Sequence, residues 1–277
     1  MDKIFQIKPI IMVLLTFLLT MNPGRQAMAG QDFAGQILRL QGSVEIIRDG
    51  KTMAGSANFK IYPLDEIRTG PESMAELLFQ DGSSLHMGPD SRLDLTQYRF
   101  SLTEDKPSFI ARMAKGLFIY VSGAISKVHP GAVKFDTPEA TIGIRGTKLL
   151  IKILGSKIDS ITRTGSESDA DGKTVVILFK DPNGNVGRVI ISNSRGWQTL
   201  DKEQYAVMVN QDKIPSEQVF VDRETLEKMI PSFLYPFVFE DYKTPLGYTP
   251  EDPLLLDNLN DNSIKPDNGK PVSVSAP

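Results

Sequence analysis

The chain has 277 residues, 31 basic and 34 acidic side chains for a net charge of −3, and no cysteine. The missing thiols exclude disulfide staples, thiol nucleophiles and thiolate metal sites, so the fold must rest on burial and hydrogen bonding. A mildly acidic chain has no global attraction for nucleic acid or anionic lipid, and its partners must be recognised locally.

Met1–Ala29 reads as a secretory signal peptide. Lys3 and Lys8 supply a positive start, Ile10–Leu19 an uncharged apolar run, and Ala27-Met28-Ala29 a small-residue cleavage site. The mature chain is expected to begin at Gly30, with 28 basic and 33 acidic residues for a net charge of −5, and to be periplasmic or secreted. The apolar run from Pro9 to Met21 is shorter than the ~20 residues that a spanning helix needs. No later uncharged run approaches that length, so no stable membrane anchor is expected after cleavage.

From Gln36 onward, short alternating apolar runs are separated by turn residues, the pattern of an all-β domain. Val44, Ile46 and Ile47 precede Asp49-Gly50, a dipeptide suited to a tight hairpin turn. Leu64–Ile67 leads to a break at Thr69-Gly70. Ala75–Phe79 then forms a strand that turns at Asp81-Gly82 into Ser84–Met87. Gly88-Pro89 turns the chain again, and alternation over Arg92–Leu95 places Leu93 and Leu95 on one face.

Ser108–Ala114 suits two helical turns, after which Gly116 opens the apolar run Leu117–Val121. Val133, Phe135 and Thr137 alternate, as do Leu149, Ile151 and Ile153. Gly165–Gly172 is a polar loop dividing two β-rich halves. Beyond it lie Val175–Phe179, a turn at Asn183-Gly184, Val189–Ile191, and the alternating Tyr205, Val207 and Val209. These strands fit a sandwich, a barrel or a solenoid, and no exact repeat decides among them.

At Asp222 the character changes: this residue caps a short helix through Ile230, Glu224 favours its dipole, and Pro231 stops it. The expected organisation is a signal peptide over 1–29, an all-β domain over 30–221, and a short helix with an extended, Pro-rich tail over 222–277. Phe233, Tyr235, Phe237 and Phe239 form an aromatic patch at the start of that tail. They either pack back onto the β domain or dock onto another envelope protein.

Catalytic constellations are not evident. His86 and His129 lack ligand-like partners, and His86, alternating with Leu85 and Met87, is expected to face solvent. There is no nucleophile elbow, Walker loop or dinucleotide fingerprint. Asp181–Asn185 superficially resembles a calcium loop but lacks its later carboxylates, so a plain turn is expected. Trp197 reads as a core anchor, with stacking on carbohydrate as the alternative. No enzyme activity, cofactor or metal is expected.

The most informative stretch is Lys115–Thr147, which closes on Thr137-Pro138 and then Ala140-Thr141-Ile142-Gly143-Ile144-Arg145-Gly146-Thr147. Branched residues favour strand, while Gly143 and Gly146 bracket Arg145 as in a bulge, bend or close approach. Arg145 either staples a bend internally or receives an anion. The structural role is the expectation, with Asp81 as its internal partner.

This stretch resembles the signature of FecR-domain proteins, and further motifs extend the resemblance over about Gln36–Val209. They are Gly42-Ser43-Val44 with Arg48-Asp49-Gly50, Leu64–Ile67 with Thr69-Gly70, and Ala75, Leu77 and Phe79 before Asp81-Gly82-Ser83. The signature positions are Asp81, Gly82, Gly116, Gly123, Pro138, Gly143, Arg145, Gly146 and Thr147. Lys148, where an acidic residue is frequent, and Tyr120, where a basic one is expected, depart from the pattern.

The resemblance implies a β-solenoid-like architecture, adopted here over a sandwich, and a binding, scaffolding or sensing role. With only eight or nine residues before the apolar run, a cytoplasmic sigma-binding region does not fit. The expected partner is an envelope protein or a surface polymer, reached through sheet faces, edges or the tail. An envelope polysaccharide-active protein is the alternative.

Overall fold

The computed structural model describes residues 33–100, 106–154 and 173–239. The signal-peptide reading, the Gly165–Gly172 loop and the Pro-rich tail beyond Phe239 lie outside the described residues.

Strands are numbered in chain order and form two sheets. Sheet A runs β4 (Lys60–Ile61), β1 (Gly35–Gln41), β6 (Met74–Phe79), β7 (Ser84–Met87), the second half of β9 (Ser108–Val121), β12 (Lys148–Leu154), β13 (Lys173–Phe179), β16 (Tyr205–Asn210) and β17 (Val219–Phe220). Sheet B runs β3 (Lys51–Ala54), β2 (Val44–Arg48), β5 (Glu66–Thr69), β8 (Arg92–Arg99), the first half of β9, β10 (Val133–Asp136), β11 (Thr141–Arg145), β14 (Arg188–Asn193) and β15 (Gly196–Leu200).

β9 crosses between the sheets at Gly116. There φ is +109°, and a Cβ would lie 2.1 Å from the Ser91 hydroxyl oxygen, so only glycine makes the corner. Ser108–Ala114, expected as helix, is therefore strand. Phe109, Ala111 and Met113 face the core, and tertiary burial overrides the local helical preference.

The solenoid expectation is corrected. A solenoid stacks parallel strands coil on coil, whereas here the β9–β10 pairing alone is parallel and the other described pairings are antiparallel. The inner faces of the two sheets share one core, including Ile37, Ile46, Leu77, Leu93, Leu95, Phe109, Phe118, Phe135, Ile151 and Ile191. This is a β-sandwich. Asp49 and Gly50 both have positive φ, as the two-residue turn between β2 and β3 requires. Leu64 also has positive φ and is 75% exposed, so Ile67 carries the aliphatic burial on that side alone.

Sheet A has a second buried layer on its outer face. Met74, Leu117, Ile119, Leu150, Ile177 and Phe179 pack against Leu226, Ile230, Leu234, Phe237 and Val238. Those residues come from α2 (Arg223–Met229) with its C-cap Ile230, a 3₁₀ turn (Ser232–Leu234) and α3 (Tyr235–Phe239), which follow α1 (Ala124–Val128). Asp222 caps α2 by accepting a hydrogen bond from the Thr225 N–H at 2.7 Å. Lys152 donates to the Met229 carbonyl at 2.8 Å and Lys148 to that of Val238 at 3.0 Å. The departure at Lys148 thus has a local reason: it ties the C-terminal segment to sheet A.

The docking role considered for Phe233, Tyr235, Phe237 and Phe239 is corrected accordingly. Phe237 is 6% exposed, and the other three are half-buried against the same cluster. Exposing an aromatic layer of this size would cost about 1.5–3 kcal/mol per large side chain, so the patch closes onto its own sheet.

Candidate binding face

The signature residues divide between the interior and the surface. In the interior, Asp81 is fully buried in the turn between β6 and β7. Its Oδ1 accepts from the Ser83 hydroxyl at 2.6 Å and from the Tyr98 hydroxyl at 3.2 Å, and its Oδ2 accepts from the Ile125 N–H at 3.3 Å. Burial pushes the carboxyl above its ordinary pKa, and the bonds from Ser83, Ile125 and Tyr98 pull it partly back. The Asp81 carbonyl also accepts from the Ala124 N–H at the start of α1.

Gly123 allows this approach. A Cβ there would lie 2.4 Å from both the Asp81 carbonyl oxygen and the Ser83 nitrogen. Thr147 completes the arrangement: its N–H donates to the Ser122 hydroxyl at 2.9 Å and its own hydroxyl to the Phe179 carbonyl at 2.9 Å. Tyr120 packs edge-on against Phe109 and Phe135 with its ring buried. Gly82 and Gly146 hold φ of +76° and +53°, and Pro138 sits in the turn that Thr137 closes by bonding Ala140 in both directions. Each of these positions has a structural task.

Gly143 and Arg145 have none of that kind. The proposed Arg145–Asp81 pairing does not form, because Asp81 is sealed in the core and Arg145 is exposed. On β11, Ile142 and Ile144 point inward, which sends Thr141, Gly143 and Arg145 to the outer face of sheet B. Gly143 has no positive φ, and a Cβ there would meet no atom closer than 3.8 Å.

Around Gly143 the register assembles a continuous surface. Lys134 on β10 and Ile190 on β14 flank Gly143, Arg188 lies directly opposite Arg145, and Trp197 on β15 lies opposite Ser192, which itself opposes Thr141. Trp197 is 67% exposed and Ile190 50%. The core-anchor reading of Trp197 is therefore corrected: Leu200 fills the core from β15, and alternation sends Trp197 outward.

Beside Trp197, at the end of β11 and β14, lies a shallow cleft of about 380 Å³ lined by Thr137, Glu139, Thr141, Ser192, Asn193 and Gln211, among others. Glu139 is its one carboxylate, and it accepts a hydrogen bond from the Thr174 hydroxyl at 2.5 Å.

Sheet B is neutralised only in part, since exposed Arg99 and Arg112 on β8 and β9 make no ion pair among the described residues while three other arginines do. On the N-terminal strands Arg48 pairs with Asp65, Arg68 with Glu66, and Arg92 with Glu66 and Asp94. Lys134, Arg145 and Arg188 make no ion pair or side-chain hydrogen bond among the described residues, and Arg145 and Arg188 are cross-strand neighbours of like charge. Such a pair is destabilising unless an anion lies near.

The other candidates resolve into structure. His86, expected at the surface, is buried under α3 and stacks on Phe237 at 4.2 Å, because sheet A is covered on both faces. Desolvation first, then Arg39 and Lys148, lower its pKa to about 3. Asp181 accepts from the N–H groups of Asn183 and Asn185, as in a simple turn. Among the described residues no cluster of three or more His, Asp or Glu is arranged to hold a metal.

The fold and site define an all-β sandwich whose signature builds one internal polar knot and one exposed face. Residues 65–166 match the family described as FecR protein, so the chain contains a FecR domain over that span. The matched span holds every signature position; Arg188, Ile190 and Trp197 lie beyond it. Two crystal structures of an assigned anti-sigma factor from Parabacteroides distasonis ATCC 8503 are similar, at 15% and 14% identity with TM-scores of 0.39 and 0.38. In each case 58% of this chain is aligned with 62% of the other, so the chain spans under two thirds of those proteins. No curated protein matches the sequence.

Proposed function

We propose that this protein is an exported, non-catalytic FecR-domain module of the cell envelope, acting in signalling or scaffolding, and that it engages its partner through the outer face of sheet B. One observation carries the reading: the outward part of the signature, Gly143 and Arg145, has no task in folding and lies among cations that no internal carboxylate neutralises. The FecR match supports a regulatory module.

The alternative, a polysaccharide-active enzyme, needs two carboxylates flanking a bond. The polar cleft offers Glu139 alone, already engaged by Thr174. Export is supported by the charged start, apolar run and Ala27-Met28-Ala29 of the sequence.

Two measurements test the reading. Cell fractionation with mass spectrometry of the N-terminus should find a chain beginning at Gly30 outside the cytoplasm, and an unprocessed cytoplasmic chain would contradict export. Retention on immobilised, solubilised envelope material should fall when Arg145→Gln and Arg188→Gln are combined. Equal retention of an equally folded variant would remove the face from the account.

A further inference from the structure

Resting on that reading, we infer that the outer face of β11, β14 and β15 binds a carboxylate-bearing polysaccharide laid along the strands. Thr141 to Arg145 spans four residue steps, about 13 Å of strand. One end of this strip has the exposed Trp197 ring beside a cleft of hydroxyl and amide side chains, and the other has the guanidinium groups of Arg145 and Arg188. Between them Gly143 leaves the surface low, flanked by the Lys134 ammonium and the half-exposed Ile190.

Each part matches one feature of an acidic sugar chain. An exposed aromatic ring offers an apolar face for a sugar ring, and the cleft's exposed Ser194 and Gln211 can donate to and accept from its hydroxyls, whereas Thr137, Thr141, Ser192 and Asn193 are bonded internally. The planar guanidinium pairs bidentately with carboxylate, and two of them opposite each other without an internal counter-ion call for repeated negative charge. A side chain at Gly143 would stand in the path of the polymer.

An acidic peptide is the weaker fit. Extended peptides add to sheet edges, where main-chain hydrogen bonds supply the affinity. On β11 and β14 the main chain is already paired on both sides, with β10 and β14 flanking one and β11 and β15 the other.

Affinity electrophoresis of the purified full-length protein tests this in gels containing polygalacturonate, neutral dextran or poly-glutamate. Retardation is expected in polygalacturonate and not in dextran. The combined Arg145→Gln/Arg188→Gln change should weaken it about tenfold or more, and Trp197→Ala about fivefold. Gly143→Val should also weaken it, with the thermal midpoint of no variant lowered.

Failure to bind polygalacturonate, or binding indifferent to these substitutions, overturns the proposal. Equal retardation by poly-glutamate that ignores Trp197→Ala would assign the face to an acidic peptide, and a dimer lost in the arginine variant would assign it to a second copy. Both overturn the polysaccharide and leave the binding-module reading standing. If envelope retention is also indifferent to the arginine substitutions, the broader reading falls with it.

Discussion

The two outer faces of the sandwich solve opposite problems. Sheet A is apolar outside as well as inside, so it must be covered. α2 and α3 cover it, and two of its lysines, Lys148 and Lys152, bond their carbonyls. Sheet B is polar outside and uncovered among the described residues. Arg48, Arg68 and Arg92 are matched by carboxylates, while Arg99, Arg112, Lys134, Arg145 and Arg188 are not, and of these unmatched cations Arg145 and Arg188 stand directly opposite each other. That opposed arginine pair beside Gly143 is the feature on which the proposed binding face rests.

The comparison breaks most visibly if the interior signature is disturbed. Gly123→Ala pushes a methyl group into the Asp81 and Ser83 backbone, and we expect about 3 kcal/mol or more of lost stability by chemical denaturation. A loss below about 1 kcal/mol would show that the knot yields easily. Next comes the cover over sheet A: Phe237→Ala should cost about 3–4 kcal/mol.

That cover also predicts a pH dependence. Buried His86 has a folded pKa of about 3 against an ordinary 6.5, so its contribution is fully present above pH 6.5. It is lost as pH falls toward 3, at about 1.4 kcal/mol per unit within the window. The groups facing it are Glu76 on β6, Arg39 on β1 and Lys148 on β12, with Phe237 above. Asp81 has the opposite sign, because its raised pKa makes its contribution present at low pH and lost as pH rises through the folded value. Denaturation between pH 7 and pH 4 should therefore show a decline that His86→Gln flattens, and an unchanged slope in that variant would remove His86 as its source.

Smaller effects sharpen the division within one short stretch. Gly146→Ala should cost about 1 kcal/mol because φ is positive there, whereas Gly143→Ala should stay within about 0.5 kcal/mol of wild type. Equal costs would return Gly143 to a folding role. Smallest of all, Arg145→Gln should leave the thermal midpoint unchanged or slightly raised at low salt, with the difference vanishing as salt screens Arg188.

Much of this was legible in the residue pattern. Alternation picked the inward Leu93, Leu95, Val133, Phe135, Leu149 and Ile151, Asp49-Gly50 marked its hairpin, and Asp222 marked its cap. What failed depends on contacts distant in sequence. His86 looks solvent-facing in its own strand, and only α3, some 150 residues on, buries it. Solenoid and sandwich share strands and corners and differ in which strands pair. The signature as a line of text does not say that Gly146 and Thr147 serve the interior while Gly143 and Arg145 serve the surface. Trp197 could have been placed from its alternation with Leu200, a signal present but short.

The most direct test compares two double variants that remove equal charge from one sheet: Arg145→Gln/Arg188→Gln at the unmatched, opposed pair and Arg68→Gln/Arg92→Gln at two arginines matched by carboxylates. Their affinities for solubilised envelope material are measured side by side with wild type. The account predicts a loss of about tenfold or more for the first and none for the second. Equal losses, or no loss in either, would show that the bare cations around Gly143 are ordinary surface charge and not a binding face.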